Sequence, residues 1–217
     1  MKRIILIVLV LIIVVGAGVV LAVSMSPTKE LNVTMNESPN KPVILIVIDS
    51  LMNEPLQKAI QENKAPALSF LINNGYLESE VISSYPTMSV TIDSTLLTGT
   101  YANEHKIPGL IWFKEDENRM ISYGSGISEM WHNGIKNVAY DSVIRLNNEH
   151  LSNNVQTMHE QLATHDIQSA SINGLLYRGS VEHHLHVPKL ISTANLLPKE
   201  IITNGPTLLS LGALSQY

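Results

Sequence analysis

The stretch PVILIVID, residues 42–49, carries the clearest indication of the fold. Its central residues, 43–48, are all aliphatic, which is typical of a strand buried on both faces of a parallel sheet. Asp49 follows directly, and functional groups gather at the carboxyl ends of strands in open α/β sheets. The position alone leaves two interpretations of Asp49: a metal ligand, or a residue that caps the following turn together with Ser50.

The rest of the chain alternates between helical and extended patterns. Helices are predicted over residues 53–63, 66–74, 91–97 and 153–164, and further strands over residues 77–83 and 168–173. Segments 110–113 and 120–123 flank a charged stretch and predict a hairpin, whereas residues 207–214 predict the start of a helix. This alternation favours an α/β domain with a mainly parallel sheet flanked by helices.

The first 25 residues have the character of a membrane segment. Lys2 and Arg3 precede residues 4–23, which contain no charged or strongly polar side chain and would span about 30 Å as a helix. The apolar run is longer than that of a typical cleaved signal, and it ends in a poor cleavage site. We therefore expect a single-pass transmembrane anchor, with cleavage of a signal and secretion as the alternative.

The N-terminal charges also predict where the rest of the chain lies. Positive residues stay on the cytoplasmic side, so everything after Ser24 is expected outside the cytoplasmic membrane. Residues 1–25 are then the anchor or signal, residues 26–41 a polar tether, and residues 42–217 the domain proper. The chain stops without a closing strand, so we expect residues 42–217 to be the N-terminal portion of an incomplete domain.

Composition excludes several classes of site and partner. The chain contains no cysteine, which rules out disulfides, zinc–thiolate sites and cysteine nucleophiles. Its net charge is −5 although Lys2 and Arg3 both lie in the first 25 residues, so the remainder is more acidic still. An acidic domain offers no broad basic surface, and we expect no nucleic-acid partner. The sequence does not indicate an oligomeric state.

The second informative stretch is YPTMSVTIDSTLLTG, residues 85–99. A proline turn, a hydroxyl residue and a predicted helix start follow one another here. A helix N-terminus offers unpaired N–H groups and positive potential to a phosphate, and a metal-activated hydroxyl at that point can attack phosphorus. The alternative is that Ser89 or Thr87 merely caps the helix.

Taken together, residues 42–124 resemble the type I phosphodiesterase/nucleotide pyrophosphatase family of the alkaline phosphatase superfamily. The resemblance rests on PVILIVIDS followed by SYPTMSVTIDSTLLTGTYANEHKIPG. It implies an alkaline-phosphatase-like fold in which Asp49 binds a metal ion and Ser89, also at the metal, is the nucleophile. Two divalent metal ions are implied as cofactors, with zinc the expected metal.

The trailing motif and the departures from it complete the resemblance. Its matching residues are Thr98, Gly99, Tyr101, His105 and Ile107, of which His105 corresponds to a structural histidine in a loop. The nucleophile is Ser where the best-known members have Thr, and Leu110 replaces an asparagine of the nucleotide-cleaving members. The family's downstream aspartate and histidine ligands have no convincing match. We interpret the histidines of residues 183–186 as part of a partly exposed loop rather than as ligands.

These observations predict a metal-dependent hydrolase of the phosphodiesterase/nucleotide pyrophosphatase type that acts on small phosphate esters. Two alternatives stay open. One is a related phosphatase or phosphotransferase of the same superfamily, and the other is a truncated, inactive envelope protein that binds a partner through the same pocket.

The predicted topology can be tested directly in cells. Protease added to intact protoplasts should digest the chain after Ser24, because residues 4–23 place it on the outer side of the membrane. The measurement is loss of a C-terminal epitope on a blot, with a cytoplasmic protein as the control for intact cells. Full protection of the epitope in intact protoplasts would contradict this orientation.

Overall fold

The computed structural model describes residues 41–124, 126–212 and 214–216. Over these residues the chain is a mixed α/β protein in which short helices flank three small sheets. The predicted anchor and nearly all of the predicted tether lie outside the described residues, so both stay predictions. Within the described ranges, no helix combines the length and apolar character needed to cross a bilayer.

The helices follow the predicted pattern in the first half of the described chain. The α-helices are α1 (Asn53–Gln61), α2 (Pro66–Asn74), α3 (Ser89–Thr98), α4 (Ala102–His105), α5 (Ile127–Asn133), α6 (Ile135–Tyr140), α7 (Met158–Ala163) and α8 (Lys189–Thr193). A π-helix, Asp141–His150, continues directly from α6. Helices α1 to α3 confirm three predictions. The fourth, over residues 153–164, is shorter because Thr157 and Glu160 form a capping box that starts α7 at Met158.

The strands form small sheets rather than one large one. They are β1 (Ile111–Lys114), β2 (Arg119–Ser122), β3 (Ala170–Ile172), β4 (Val181–His186), β5 (Glu200–Gly205), β6 (Leu208–Ser210) and β7 (Ser215–Gln216). The predicted hairpin is confirmed by β1 and β2, which pair antiparallel, and β3 pairs with β6 in parallel. The third sheet has the order β5-β4-β7 and is antiparallel. The prediction of a mainly parallel sheet is therefore wrong for the described residues.

The stretch that suggested a central strand does not form one. Residues 43–48 lie outside the strands of the described chain and are exposed, from 94% of the side chain of Val43 to 48% of that of Ile48. A strand buried on both faces needs paired neighbours and covering helices, and α1 and α2, which follow it, have no buried residue. The strand predicted over residues 77–83 is wrong for the same reason, since Val81 and Ile82 are also exposed.

Two further predictions fail at the C-terminal side. Residues 208–210, predicted to begin a helix, form β6, in which Leu209 is buried between two less buried neighbours. Such alternation belongs to a strand and not to a helix. The histidines predicted in a loop lie on β4, where His183 is buried and His184 is exposed on the opposite face.

The core consists of two neighbouring hydrophobic clusters. The first gathers buried side chains from α3, β2, the π-helix and the segments between elements: Val90, Ile107, Ile121, Tyr123, Leu146, Leu151 and Leu176. The second lies against the antiparallel sheet and comprises Tyr177, Leu185, Val187, Leu197, Ile201 and Leu209. The chain passes from one cluster to the other between Leu176 and Tyr177, so this peptide segment joins the two halves of the core.

Asp141 links the hairpin to the π-helix through a buried ion pair. Its carboxylate is 1% exposed and receives two parallel hydrogen bonds from Arg119 on β2, both 2.8 Å long. Arg145 and the backbone N–H of Ser122 donate to the same carboxylate. Burial would raise the pKa of Asp141, but the hydrogen bonds from Arg119 and Arg145 hold it below its usual range.

Asn147 forms hydrogen bonds with backbone groups at the place where the two clusters meet. Its fully buried side chain accepts hydrogen bonds from the N–H groups of Tyr177 and Arg178 and donates one to the carbonyl of Leu175. A buried N–H without a partner costs about 1–3 kcal/mol. The carboxamide therefore makes the crossing between the clusters possible without orphaned backbone groups.

We expect Asn147→Ala to lower the free energy of unfolding by about 3 kcal/mol, because it leaves two buried N–H groups unpaired. Urea titration followed by circular dichroism measures the change. The neighbouring Asn148→Ala is a matched control: Asn148 is exposed and accepts only the hydroxyl of Thr203. It should cost about 1 kcal/mol or less. Equal losses in the two variants would contradict the role assigned to Asn147.

Candidate active site

The candidate site begins at the N-terminus of α3. Met88 precedes the helix in extended conformation (φ −106°, ψ 136°), and among the described residues no side chain caps this end. Ser89 is thus the first helical residue, and neither Ser89 nor Thr87 acts as the cap that one interpretation assigned to them. The first N–H groups of the helix have no intrahelical acceptor and remain available to an anion.

The structure brings the two residues singled out by the sequence together. The hydroxyl of Ser89 donates a hydrogen bond of 3.0 Å to Oδ1 of Asp49, although the residues are 40 positions apart. Asp49 is exposed in the turn that follows residues 42–48, and Ser89 is half-buried. A carboxylate therefore faces a hydroxyl at a helix N-terminus, as in a site that activates a nucleophile.

Asp93 is a third component of the site, and its second carboxylate, that the sequence analysis missed. It lies four residues after Ser89 on α3, a spacing that puts both side chains on one face of the helix. Burial raises the pKa of the Asp93 carboxyl, and the negative charge of Asp49 raises it further. The sequence predicted a helix from residue 91, which leaves Ser89 outside it. Only when the helix starts at Ser89 do Ser89 and Asp93 lie one helical turn apart on the same face.

The other hydroxyl residues of this stretch face elsewhere. Thr91 is fully buried, and its hydroxyl has no hydrogen-bond partner within the described chain. Thr87 is exposed and precedes the helix. Ser89 is therefore the residue of this stretch whose hydroxyl contacts Asp49.

The trailing motif forms the end of α3 and the short helix α4 that follows it. Gly99 ends the helix with φ +68°, a conformation that glycine adopts without strain. His105 is fully buried at the end of α4 rather than in a loop; its Nδ1 accepts the N–H of Ile107, and its Nε2 lies 3.3 Å from the hydroxyl of Thr95. The motif histidine is thus a structural residue, whereas the side chain of Tyr101 is exposed.

Leu110 occupies a hydrophobic position next to the hairpin. It is partly buried against the first hydrophobic cluster, and its carbonyl accepts the N–H of Tyr123. An aliphatic side chain here cannot donate a hydrogen bond to a phosphate oxygen. The position therefore lacks the polar group that the resemblance associates with nucleotide cleavage.

The donor set fits a divalent cation. Asp49, Ser89 and Asp93 offer only oxygen atoms, which suit hard or borderline metal ions. A cation would also relieve the repulsion that Asp49 exerts on Asp93. A separate group of possible ligands, Glu117, Glu149 and His150, lies at the hairpin and the end of the π-helix.

Comparison with known proteins gives one match. The family model described as type I phosphodiesterase/nucleotide pyrophosphatase aligns with residues 43–181, well over half of the chain. This range includes the whole of the candidate site. No curated protein and no solved structure shows a significant match.

The proximity of the two carboxylates can be tested by titration. In metal-free chain, Asp49→Asn should lower the pKa of Asp93, because it removes the second cause of the shift, while burial keeps the pKa above 3.8. Carboxyl ¹³C NMR across the acid range measures the titration. Asp116→Asn, which removes an exposed carboxylate in the hairpin turn, serves as the control. An unchanged Asp93 pKa in Asp49→Asn would show that the two groups are not in contact.

Proposed function

The chain belongs to the type I phosphodiesterase/nucleotide pyrophosphatase family, and we propose that it hydrolyses small phosphate esters with Ser89 as the nucleophile. The observation that carries the proposal is the hydrogen bond of 3.0 Å between Ser89 and Asp49 at the N-terminus of α3. It joins a hydroxyl, a carboxylate and free helix N–H groups at one point. Each of these has a distinct use in phosphoryl transfer.

Ser89 attacks the ester in line with the leaving group. A bond forms between its Oγ and phosphorus, the bond from phosphorus to the leaving oxygen breaks, and a phosphoryl ester of Ser89 results, which keeps the second ester group when the substrate is a diester. Water then attacks phosphorus, which frees Ser89 and releases the phosphate product. The hydroxyl proton of Ser89 points at Oδ1 of Asp49, which is therefore the acceptor that this chain provides.

The first turn of α3 binds the phosphate group. Its unpaired N–H groups and positive helix end attract the equatorial oxygens, whose negative charge increases in the transition state. Asp49, Ser89 and Asp93 would hold the divalent metal ions, two zinc ions in our proposal, which would supply charge neutralisation at the nucleophile and at those oxygens. An alkaline-phosphatase-like arrangement of the complete domain belongs to the same proposal.

The substrate is a small phosphate ester rather than a nucleic acid. The chain is acidic overall, which disfavours the binding of a polyanion. Leu110 favours an ester whose phosphate needs no extra amide donor. We place the activity at the outer face of the cytoplasmic membrane, with residues 4–23 as the anchor.

Substitutions at the nucleophile test the proposal. In the full-length chain supplied with Zn²⁺, Ser89→Ala should lower the hydrolysis of bis(p-nitrophenyl) phosphate by several orders of magnitude, because the attacking oxygen is lost. Ser89→Thr keeps the hydroxyl and should retain part of the rate. Release of p-nitrophenol gives the rate, and mass spectrometry of quenched enzyme should find a p-nitrophenyl phosphate group on Ser89.

Thr87→Ala is the matched control, since it removes an exposed hydroxyl two residues earlier on the same segment. It should leave turnover within about twofold, as expected of a surface substitution without contacts. Asp49→Asn should lower bound zinc and activity together. Normal turnover in Ser89→Ala, with loss in Thr91→Ala, would move the nucleophile by two residues; normal turnover in both would refute the proposed chemistry.

A further inference from the structure

Outside the candidate active site, the buried imidazole of His150 has a ring nitrogen without a hydrogen-bond partner among the described residues. The side chain of His150 is 0% exposed, and the nitrogen is Nε2. Oε1 of Glu117 is 3.5 Å from this nitrogen, too far for a good hydrogen bond. A buried polar atom left in this way costs free energy unless another group binds it.

Two carboxylates surround this nitrogen. Ligand atoms of Glu117, in the turn between β1 and β2, and of Glu149, at the end of the π-helix, lie within 4.8 Å of each other and of His150. Two ligands of one tetrahedral ion, bound at about 2.0–2.2 Å, are about 3.3–3.6 Å apart. The separation of 3.5 Å between Glu117 and His150 meets this requirement. Glu149 is 55% exposed and can move inward.

The far sides of His150 and Glu117 are already held in place. The other ring nitrogen of His150, Nδ1, lies 2.9 Å from the hydroxyl of Tyr123. Burial raises the pKa of Tyr123, so the phenol stays neutral, and its oxygen can accept a hydrogen bond from the N–H of Nδ1. Oε2 of Glu117 is bound by Arg119 at 2.6 Å, which leaves Oε1 to face His150. Metal-binding histidines and carboxylates are oriented by such outer partners.

We propose that Glu117, Glu149 and His150 bind a divalent cation of the zinc type, separate from the candidate active site. One imidazole nitrogen and two carboxylate oxygens match the preferences of zinc, and water would complete four ligands. The cation joins the hairpin turn to the end of the π-helix. Two cationic side chains compete with it: the ammonium of Lys114 is 3.5 Å from Oε1 of Glu117, and Nε of Arg145 is 3.7 Å from Oε2 of Glu149.

The test uses Co²⁺, whose visible absorption reports four-coordinate binding, added to the full-length chain carrying Asp49→Asn. That background removes a ligand of the candidate active site. One Co²⁺ should bind, and its bands should weaken on addition of Zn²⁺. The same cation should raise the Tm of the chain, because ligands that bind the folded state stabilise it.

Substitutions then assign the ligands. Glu149→Gln and Glu117→Gln should each weaken Co²⁺ binding by more than about 10-fold, and Tyr123→Phe, which removes an outer partner, by about 10-fold. Lys114→Met should tighten binding, since it removes the competing ammonium. Glu115→Gln is the charge-matched control: it removes an exposed carboxylate from the same turn and should leave the Kd unchanged.

Several results would overturn the proposal. These are binding of Co²⁺ that is equally tight in Glu149→Gln and in the parent, equal weakening by Glu115→Gln, or loss of binding in His184→Gln, which would put the metal on β4. Glu149 and His184 are exposed, so their substitution should not unfold the chain. None of these measurements depends on hydrolysis, so failure of the proposed enzymatic activity would leave this result intact.

Discussion

The carboxamide of Asn147 is the contact on which both halves of the core depend. It pairs the backbone of residues 175–178 at the place where the chain leaves one hydrophobic cluster and enters the other. Because Asn147 lies on the π-helix, that helix becomes the common support of the hairpin, through Asp141, and of the second hydrophobic cluster, through Tyr177. A small set of buried polar groups therefore fixes how the two hydrophobic clusters are arranged, which the small sheets of the protein alone would not determine.

The site inherits its geometry from this support. The buried face of α3 carries Val90, Thr91, Ser94 and Thr98, and Val90 belongs to the first hydrophobic cluster. With that face fixed, the other side of α3 presents Ser89, and Asp93 one turn later, toward Asp49. Ser89 is thus held on a helix with a buried face, whereas Asp49 comes from a segment in which every residue is exposed.

Local patterns could be predicted from the sequence, and long-range pairings could not. The bounds of α1 and α2 follow from helical spacing and from Pro66 and Gly75 at the ends, and the hairpin follows from its charged turn. Asp49 and Ser89 were found because a long motif carries both, although their roles stay predictions. Residues 43–48 and 208–210 were misjudged because strand partners are chosen across the chain. His150 and Glu117 are 33 positions apart, and no local pattern connects them.

The sparse packing of residues 41–52 has a consequence for how binding and order are coupled. Asp49 can separate from Ser89 without disturbing either core cluster, since this segment contributes no buried side chain. A ligand that bridges the two residues must therefore offset the conformational entropy that the segment loses when it is held in place. This cost reduces the affinity of the ligand. Occupancy of the site would in turn hold the exposed aliphatic residues 43–48 in place.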